Sequence, residues 1–237
     1  MTDVIDLSCL EKLEIDEETI AFQPRWENVL VLAAYGKDKT FILTIRGEKI
    51  ILHQRLKTVL RDFSMQMGIR QIETRTLFKM VNERTFSFVA GHYTLVPTCG
   101  HGNQQVVYYM GHHVDHLQKD PQRNAVLISF AAQDKLVHIS VDSCYRTVER
   151  LLTSANEAGK IQLEMLKNLC HQFGVQSDEF ARYTCSTSHE NRLYRLQHEQ
   201  VFLGQIIEAV QQTAEKQYSE DLPPAFYRQL RYILSAT

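Results

Sequence analysis

Along this chain the spacing of apolar residues changes several times, and the changes divide it into strands, a helical insert, more strands and a helical end. Residues 1–18 are polar with a few leucines and define no firm element. Residues 19–25 read as a short strand and residues 28–35, NVLVLAAY, as a buried one. Gly36, Lys37 and Asp38 form a turn, residues 39–46 (KTFILTIR) close a hairpin, and Gly47 ends it. From residue 49 the period becomes helical: Leu52, Leu56, Val59, Leu60, Phe63 and Met67 make one apolar stripe, stopped by Gly68. Lys57, Arg61 and Ser64 line up on the other side. A second helix is predicted over residues 69–80, with Ile69, Ile72, Thr76 and Met80 inward and Gln71, Arg75 and Lys79 outward.

Alternation resumes at residues 85–89, then at 93–96 before Pro97, and at 104–110. Residues 124–131 and 136–141 pair around the turn 132–135, after a polar connection at 118–124. Asp142 or Ser143 caps a helix with Tyr145, Val148, Leu151, Leu152 and Ala155 inward and Gly159 beyond its end. Leu163, Leu166, Leu169, Cys170 and Phe173 mark another, stopped by Gly174. The polar span 175–186 is the best domain boundary. Thr187 and Glu190 make a capping box that opens the longest helix. Its residues Leu193, Leu196, Gln200, Leu203, Ile207 and Val210 keep a narrow seam suited either to self-association or to packing on the chain's own core. A last amphipathic helix follows Pro223 and Pro224. The expected class is α+β, a mainly antiparallel sheet with two inserted helices and then an α-helical C-terminal region. The expected domains are residues 1–174 and a helical extension, 175–237.

Composition narrows the classes. The chain has 237 residues, 44% apolar and 23% charged, enough to bury a core without staples. No apolar run reaches the roughly 20 residues of a membrane helix, so no membrane partner is expected and a cytoplasmic place is. Cys9, Cys99, Cys144, Cys170 and Cys185 are scattered and odd in number, with no CxxC pair, which favours reduced thiols over a disulfide frame. Net charge is −2, but its distribution is uneven. The first 30 residues carry eight acids against Lys12 and Arg25, whereas residues 46–84 carry nine bases against four acids. Such a basic segment either tracks a polyanion or is solvated surface. The acidic head is expected to screen it, so that removing residues 1–18 tightens binding.

The candidate chemistry gathers in residues 92–117, with Cys99 and five of the ten histidines. Cys99 with His101, His112, His113 or His116 has the atoms of a thiolate–imidazolium pair or a zinc site. No cysteine-enzyme frame surrounds Cys99, and if a strand leads into the histidines, His112 and His116 lie about 13 Å apart along it. A small zinc- or thiol-dependent enzyme centred on Cys99 and His112 to His116 is therefore the alternative reading, and a scaffold using the Leu193 to Val210 seam is a third. No glycine-rich phosphate loop, paired catalytic carboxylates or GxSxG elbow is present.

Residues 74–152 resemble the bacterial competence transcription factor family, ComK. The shared marks are Val96-Pro97-Thr98, then His113-Val114-Asp115-His116-Leu117, then Phe130, and Ile139-Ser140-Val141-Asp142-Ser143 leading into a helix. The family's Cys-Gly-Trp is replaced by Val106-Val107-Tyr108, and the glycine usual in its last hairpin by Gln133-Asp134. The resemblance implies a transcriptional activator that binds paired A·T-rich boxes as an oligomer, largely through the minor groove, and turns on genes for DNA uptake. It also implies delivery to a Clp protease by an adaptor. It implies no catalytic role and no cofactor. The basic edges of the two helices supply the expected DNA-facing set: Lys57, Arg61, Arg70, Arg75, Lys79 and Arg84.

Overall fold

A computed structural model describes residues 4–100, 103, 105–120, 123, 125–132, 135–174, 201, 204–208, 210–213 and 223–228. The chain divides into two compact units, Met1–Met165 and Leu166–Thr237. In chain order the first unit has strands β1 (Val4–Asp6), β2 (Glu17–Thr19), β3 (Val29–Tyr35), β4 (Lys39–Thr44) and β5 (Lys49–Leu52). Helices α1 (Leu56–Met67) and α2 (Gln71–Met80) are followed by β6 (Phe88–Ala90), β7 (Tyr93–Pro97), β8 (Val107–Met110), β9 (Val114–Lys119), β10 (Val126–Ala132) and β11 (Lys135–Val141). Helix α3 (Tyr145–Gln172) starts in the first unit and ends in the second. The class is α+β, as the periodicity predicts.

Two sheets form. One has seven strands in the order β2-β5-β4-β3-β8-β7-β6, the other four in the order β1-β11-β10-β9. Alternation along the seven-stranded sheet serves two cores at once, because successive side chains point to opposite faces. Leu32, Ile42, Ile50, Leu52, Leu95, Tyr108 and Met110 join Val59, Leu60 and Phe63 of α1. Val31, Phe41, Leu43, Ile51, Val96, Val107 and Tyr109 instead join Ile128, Phe130 and Ile139 of the smaller sheet, with Val148, Leu151 and Ala155 of α3. The seven-stranded sheet is thus covered on both faces, which explains why its central strands read as near-continuous apolar runs.

Several local expectations change. Residues 49–52 are a strand rather than the start of a helix: Ile50, Ile51 and Leu52 are all buried because β5 faces a core on each side. Of the predicted strand 19–25, only Thr19 is in a strand, as the last residue of β2. After β2 the chain runs irregularly to Asn28, pinned by Trp26, whose ring meets Phe63 edge-on at 4.7 Å and stacks on Tyr93 at 5.6 Å. The polar head does hold elements, since β1 pairs in parallel with β11 and β2 with β5, and Leu7 between them is buried. Residues 114–119 are a six-residue edge strand, β9, that the sequence leaves unassigned.

The predicted pair of helices after residue 142 is a single one. Gly159 does not end it. A Cβ at Gly159 would lie 2.1 Å from the Gly91 carbonyl oxygen, so the glycine lets α3 pass against the β6–β7 turn. The Gln162 side chain completes that contact by accepting from Gly91 N at 2.9 Å. Ser143 is not the cap either, because its hydroxyl donates to the Thr98 carbonyl at 2.7 Å. Entry into α3 is held at Cys144, whose thiol takes the backbone N–H of Thr147 and of Arg146 and is thereby kept below an ordinary thiol pKa.

In the second unit, Leu166, Leu169 and Phe173 on α3 are exposed, and residues 204–208 and 210–213 are helical. Of the predicted seam, Ile207 and Val210 are helical and half-buried, while Leu193, Leu196, Gln200 and Leu203 lie outside the described residues. Among the described residues, no helix is long and apolar enough to cross a membrane.

Candidate nucleic-acid interface

Helix α1 is fixed by Val59, Leu60 and Phe63 and closed by Gly68 in the left-handed region, φ 71°, with its N–H on the Met65 carbonyl. Ser64 belongs to the buried side, not the outer one. It is buried, and its hydroxyl donates to the Arg61 carbonyl at 2.8 Å. Helix α2 buries Thr74, Leu77 and Phe78. Its phase therefore differs from the predicted one: Ile72, Thr76 and Met80 face outward, and only Ile69, ahead of the helix, is buried as expected. Asn82, left-handed at φ 57°, stops α2, and Glu83 N donates to the Phe78 carbonyl at 2.9 Å.

Five of the six predicted cations are exposed and the sixth, Arg70, is half-buried. Lys57 and Arg61 stand one turn apart on α1, and Arg75 and Lys79 one turn apart on α2. Arg70 sits at the α1–α2 junction and Arg84 in the loop after α2. Two of them have carboxylate neighbours on their own segment: Arg61 pairs with Asp62 at 3.0 Å and Arg70 with Glu73 at 3.2 Å. The exposed Arg61–Asp62 pair is weak, about 0–1 kcal/mol, and can exchange for a phosphate. Lys57, Lys79 and Arg84 make no ion pair among the described residues.

Arg84 is held by what lies beneath it. The Glu83 carboxylate is buried and accepts from the backbone N–H of Arg84 at 2.8 Å and Thr85 at 3.0 Å, and it pairs with the Arg150 guanidinium of α3. Burial pushes the Glu83 pKa up, but the Thr85 N–H, Arg150 and the Arg84 N–H outweigh it and hold the carboxyl below its usual range. This pair, its carboxylate buried and its guanidinium half-exposed, ties the α2–β6 loop to α3 and removes Arg150 from the free cations. Sequence patterning gives no signal for it, since the partners are 67 residues apart.

The acidic head is not a loose arm over these helices. Glu18 pairs with Lys39 at 2.9 Å and His53 at 2.8 Å, and these two bonds, Lys39 first, lower its pKa. Asp16 accepts from Lys49 N at 2.7 Å, and Asp6 pairs with Arg123 at 3.1 Å. None of these partners belongs to the DNA-facing set. Deleting residues 1–18 would strip β1, β2 and the buried Leu7, so it tests stability rather than screening.

The histidine-rich segment is spread over several places. His112 and His113 occupy a short 3₁₀ turn between β8 and β9 and both bond the Trp26 carbonyl, at 3.3 and 3.4 Å. Burial lowers both pKa values, with His113 adding to the effect on His112. His116 lies on β9 with Asp115 at 3.0 Å and the Ser129 hydroxyl at 3.2 Å. Cys99 packs against the α1-side core with Thr98 Oγ1 at 4.0 Å, and His101 lies outside the described residues. Among the described residues, no three His, Cys, Asp or Glu side chains converge as metal ligands. A cavity of about 390 Å³ is bordered by Cys9, Tyr35, Thr98, Val107 and Asp142, and none of the six cations lines it.

No family model, curated protein or solved structure matches this chain.

Proposed function

We propose that this protein is a cytoplasmic DNA-binding transcriptional activator, a divergent relative of the competence factors, that grips A·T-rich duplex with the outer edges of α1 and α2 and the loop behind them. The carrying observation is the segregation of charge: four bases on one helix pair and two more at its junction and following loop, exposed or half-exposed, with the head's carboxylates Asp6, Asp16 and Glu18 bonded elsewhere. Each base that neutralises a phosphate releases counterions, which supplies affinity although net charge is near zero. The paired boxes imply a homo-oligomer, and the family likeness implies an adaptor of a Clp protease as a further partner. The test is a gel shift with A·T-rich and G·C-rich duplexes of equal length. The A·T-rich duplex is expected to bind more tightly, and Arg75→Glu with Lys79→Glu to abolish that binding without lowering the melting temperature. Undiminished binding by the folded double variant would move the interface off α2.

A further inference from the structure

Away from the cationic helices, the outer face of the smaller sheet carries a row of side chains that DNA binding does not use. Ile128, Phe130 and Ile139 point into the core, so Ser129 and His138, each one residue out of phase, point away from it. Strand register sets His116 of β9, Ser129 of β10 and His138 of β11 side by side. Both imidazoles close on one oxygen: Ser129 Oγ lies 3.2 Å from His116 Nε2 and 2.7 Å from His138 Nδ1. Ser129 is fully buried although Ala131, on the same face, is exposed, so the two rings roof it over. The His116 side chain itself stays half open to solvent.

Counting hydrogens places the protons. The Asp115 carboxylate, 3.0 Å from His116 Nδ1, can only accept, so Nδ1 of the neutral ring carries the hydrogen and Nε2 keeps its lone pair. Ser129 donates its one hydrogen to that Nε2, and its oxygen accepts from His138 Nδ1–H. His116 is thus set as metal-binding imidazoles are, with one nitrogen donating to a carboxylate and the other bare and aimed at the site. The connectivity is also that of a hydrolase triad. Ser129, however, is fully buried in a strand paired on both sides, where neither an acyl group nor an oxyanion hole has room.

We propose that His116 and His138 form an open site for a divalent transition metal, with Ser129 Oγ as a third, weaker donor and water completing the shell. Donors held at about 2.1 Å from an ion and at right angles stand about 3 Å apart. The Ser129 oxygen already keeps close to that spacing from each nitrogen. On binding, His138 moves its hydrogen from Nδ1 to Nε2 and stays neutral, and Ser129 turns its hydrogen off His116. Asp115 remains the partner of His116 Nδ1, behind the ligand rather than in the shell. Imidazole suits Cu²⁺, Ni²⁺ and Zn²⁺, and a site with only two imidazoles imposes little geometry, so affinity follows the intrinsic order with Cu²⁺ first. The site is separate from α1 and α2 and does not rest on the DNA-binding reading.

The experiment titrates the full, tag-free chain, stripped with chelator, with Cu²⁺ and separately with Zn²⁺ in a calorimeter, and follows Cu²⁺ by electron paramagnetic resonance. The wild type is expected to hold one Cu²⁺ more tightly than any other on the chain, with hyperfine structure from two imidazole nitrogens, and to bind Zn²⁺ at the same place more weakly. His116→Gln and His138→Gln, whose amides can still bond the Ser129 hydroxyl, should each lower that affinity roughly tenfold or more and remove one nitrogen from the spectrum. Asp115→Asn, at an exposed position, should weaken binding about tenfold while leaving both nitrogens in place. His53→Gln, on the other sheet's side of the chain's histidines, should change nothing. If a glutamine variant melts below the wild type in the absence of metal, Asp115→Asn decides. A tight site untouched by the His116, His138 and Asp115 variants overturns the proposal by placing the metal on other histidines. A wild type with no Cu²⁺ held more tightly than the rest overturns it too, and leaves the two rings as hydrogen-bond partners of Ser129 alone.

Discussion

Helices α2 and α3 both pack on the core between the two sheets, yet they spend their apolar residues in opposite ways. Through its first turns α3 buries Val148, Leu151, Ala155 and Ala158 completely and uses Gly159 to press against Gly91. Helix α2 buries Thr74, Leu77 and Phe78 and leaves Ile72 and Met80 outside with Arg75 and Lys79. The first is a helix that holds the body together. The second is anchored by one narrow stripe and presents the rest of its surface. Substitutions along α3 should therefore act on stability, and substitutions along the outside of α2 on binding alone.

The comparison is broken most forcefully from inside the shared core. Phe130 is fully buried opposite Tyr109, with ring centroids 6.5 Å apart, and Phe130→Ala should cost about 4 kcal/mol of unfolding free energy in urea titration. Gly159→Ala should cost about 3 kcal/mol by the same measurement, because the added methyl meets backbone rather than a side chain that can turn aside. A cost near zero would mean that α3 does not lie against Gly91.

Glu83 joins the two regions, and its replacement sharpens the contrast. Glu83→Gln keeps the shape but removes the charge facing Arg150, and a loss of about 1–2 kcal/mol is expected at neutral pH. Because the folded-state pKa of Glu83 is lowered, its contribution is present above the unfolded carboxyl value and disappears as pH falls through the folded one. Wild type and variant should therefore converge in stability in acid. The half-buried histidines give the smallest effect. His112 has its folded pKa lowered, chiefly by burial, so it is neutral in both states and costs nothing above the ordinary imidazole pKa, and it opposes folding as pH falls and the unfolded chain takes up the proton. His112→Asn should flatten the decline in melting temperature between neutral and mildly acidic buffer.

Much of the sheet was legible beforehand because its signals are local. The β3–β4 hairpin, with a turn at Gly36 (φ 63°), and the β10–β11 hairpin carry long apolar or alternating runs on both arms. The α1 stripe was readable for the same reason. What escaped is non-local. Strands β1 and β2 are three residues each and exist only because β11 and β5 are there to pair with them. Gly159 looks like a terminator until Gly91 stands opposite. The phase of α2 is non-local too: hydrophobicity alone turns Ile72 and Met80 inward, whereas a threonine, Thr74, and two larger residues, Leu77 and Phe78, face the core. Of the candidate interface, the outward position of Lys57, Arg61, Arg75 and Lys79 follows from helical spacing, and all four are exposed. The Glu83–Arg150 tether and the outward apolar ridge do not follow from it.

The central claim is that the exposed bases of α1, α2 and the following loop carry the protein onto DNA. The most direct measurement is the slope of log binding constant against log salt concentration for an A·T-rich duplex, in the wild type and in Lys57→Ala/Lys79→Ala/Arg84→Ala. The account predicts that the slope of the triple variant is shallower by about 3, close to one released counterion for each lysine or arginine removed. Equal slopes and equal affinities in a variant that melts like the wild type would contradict it.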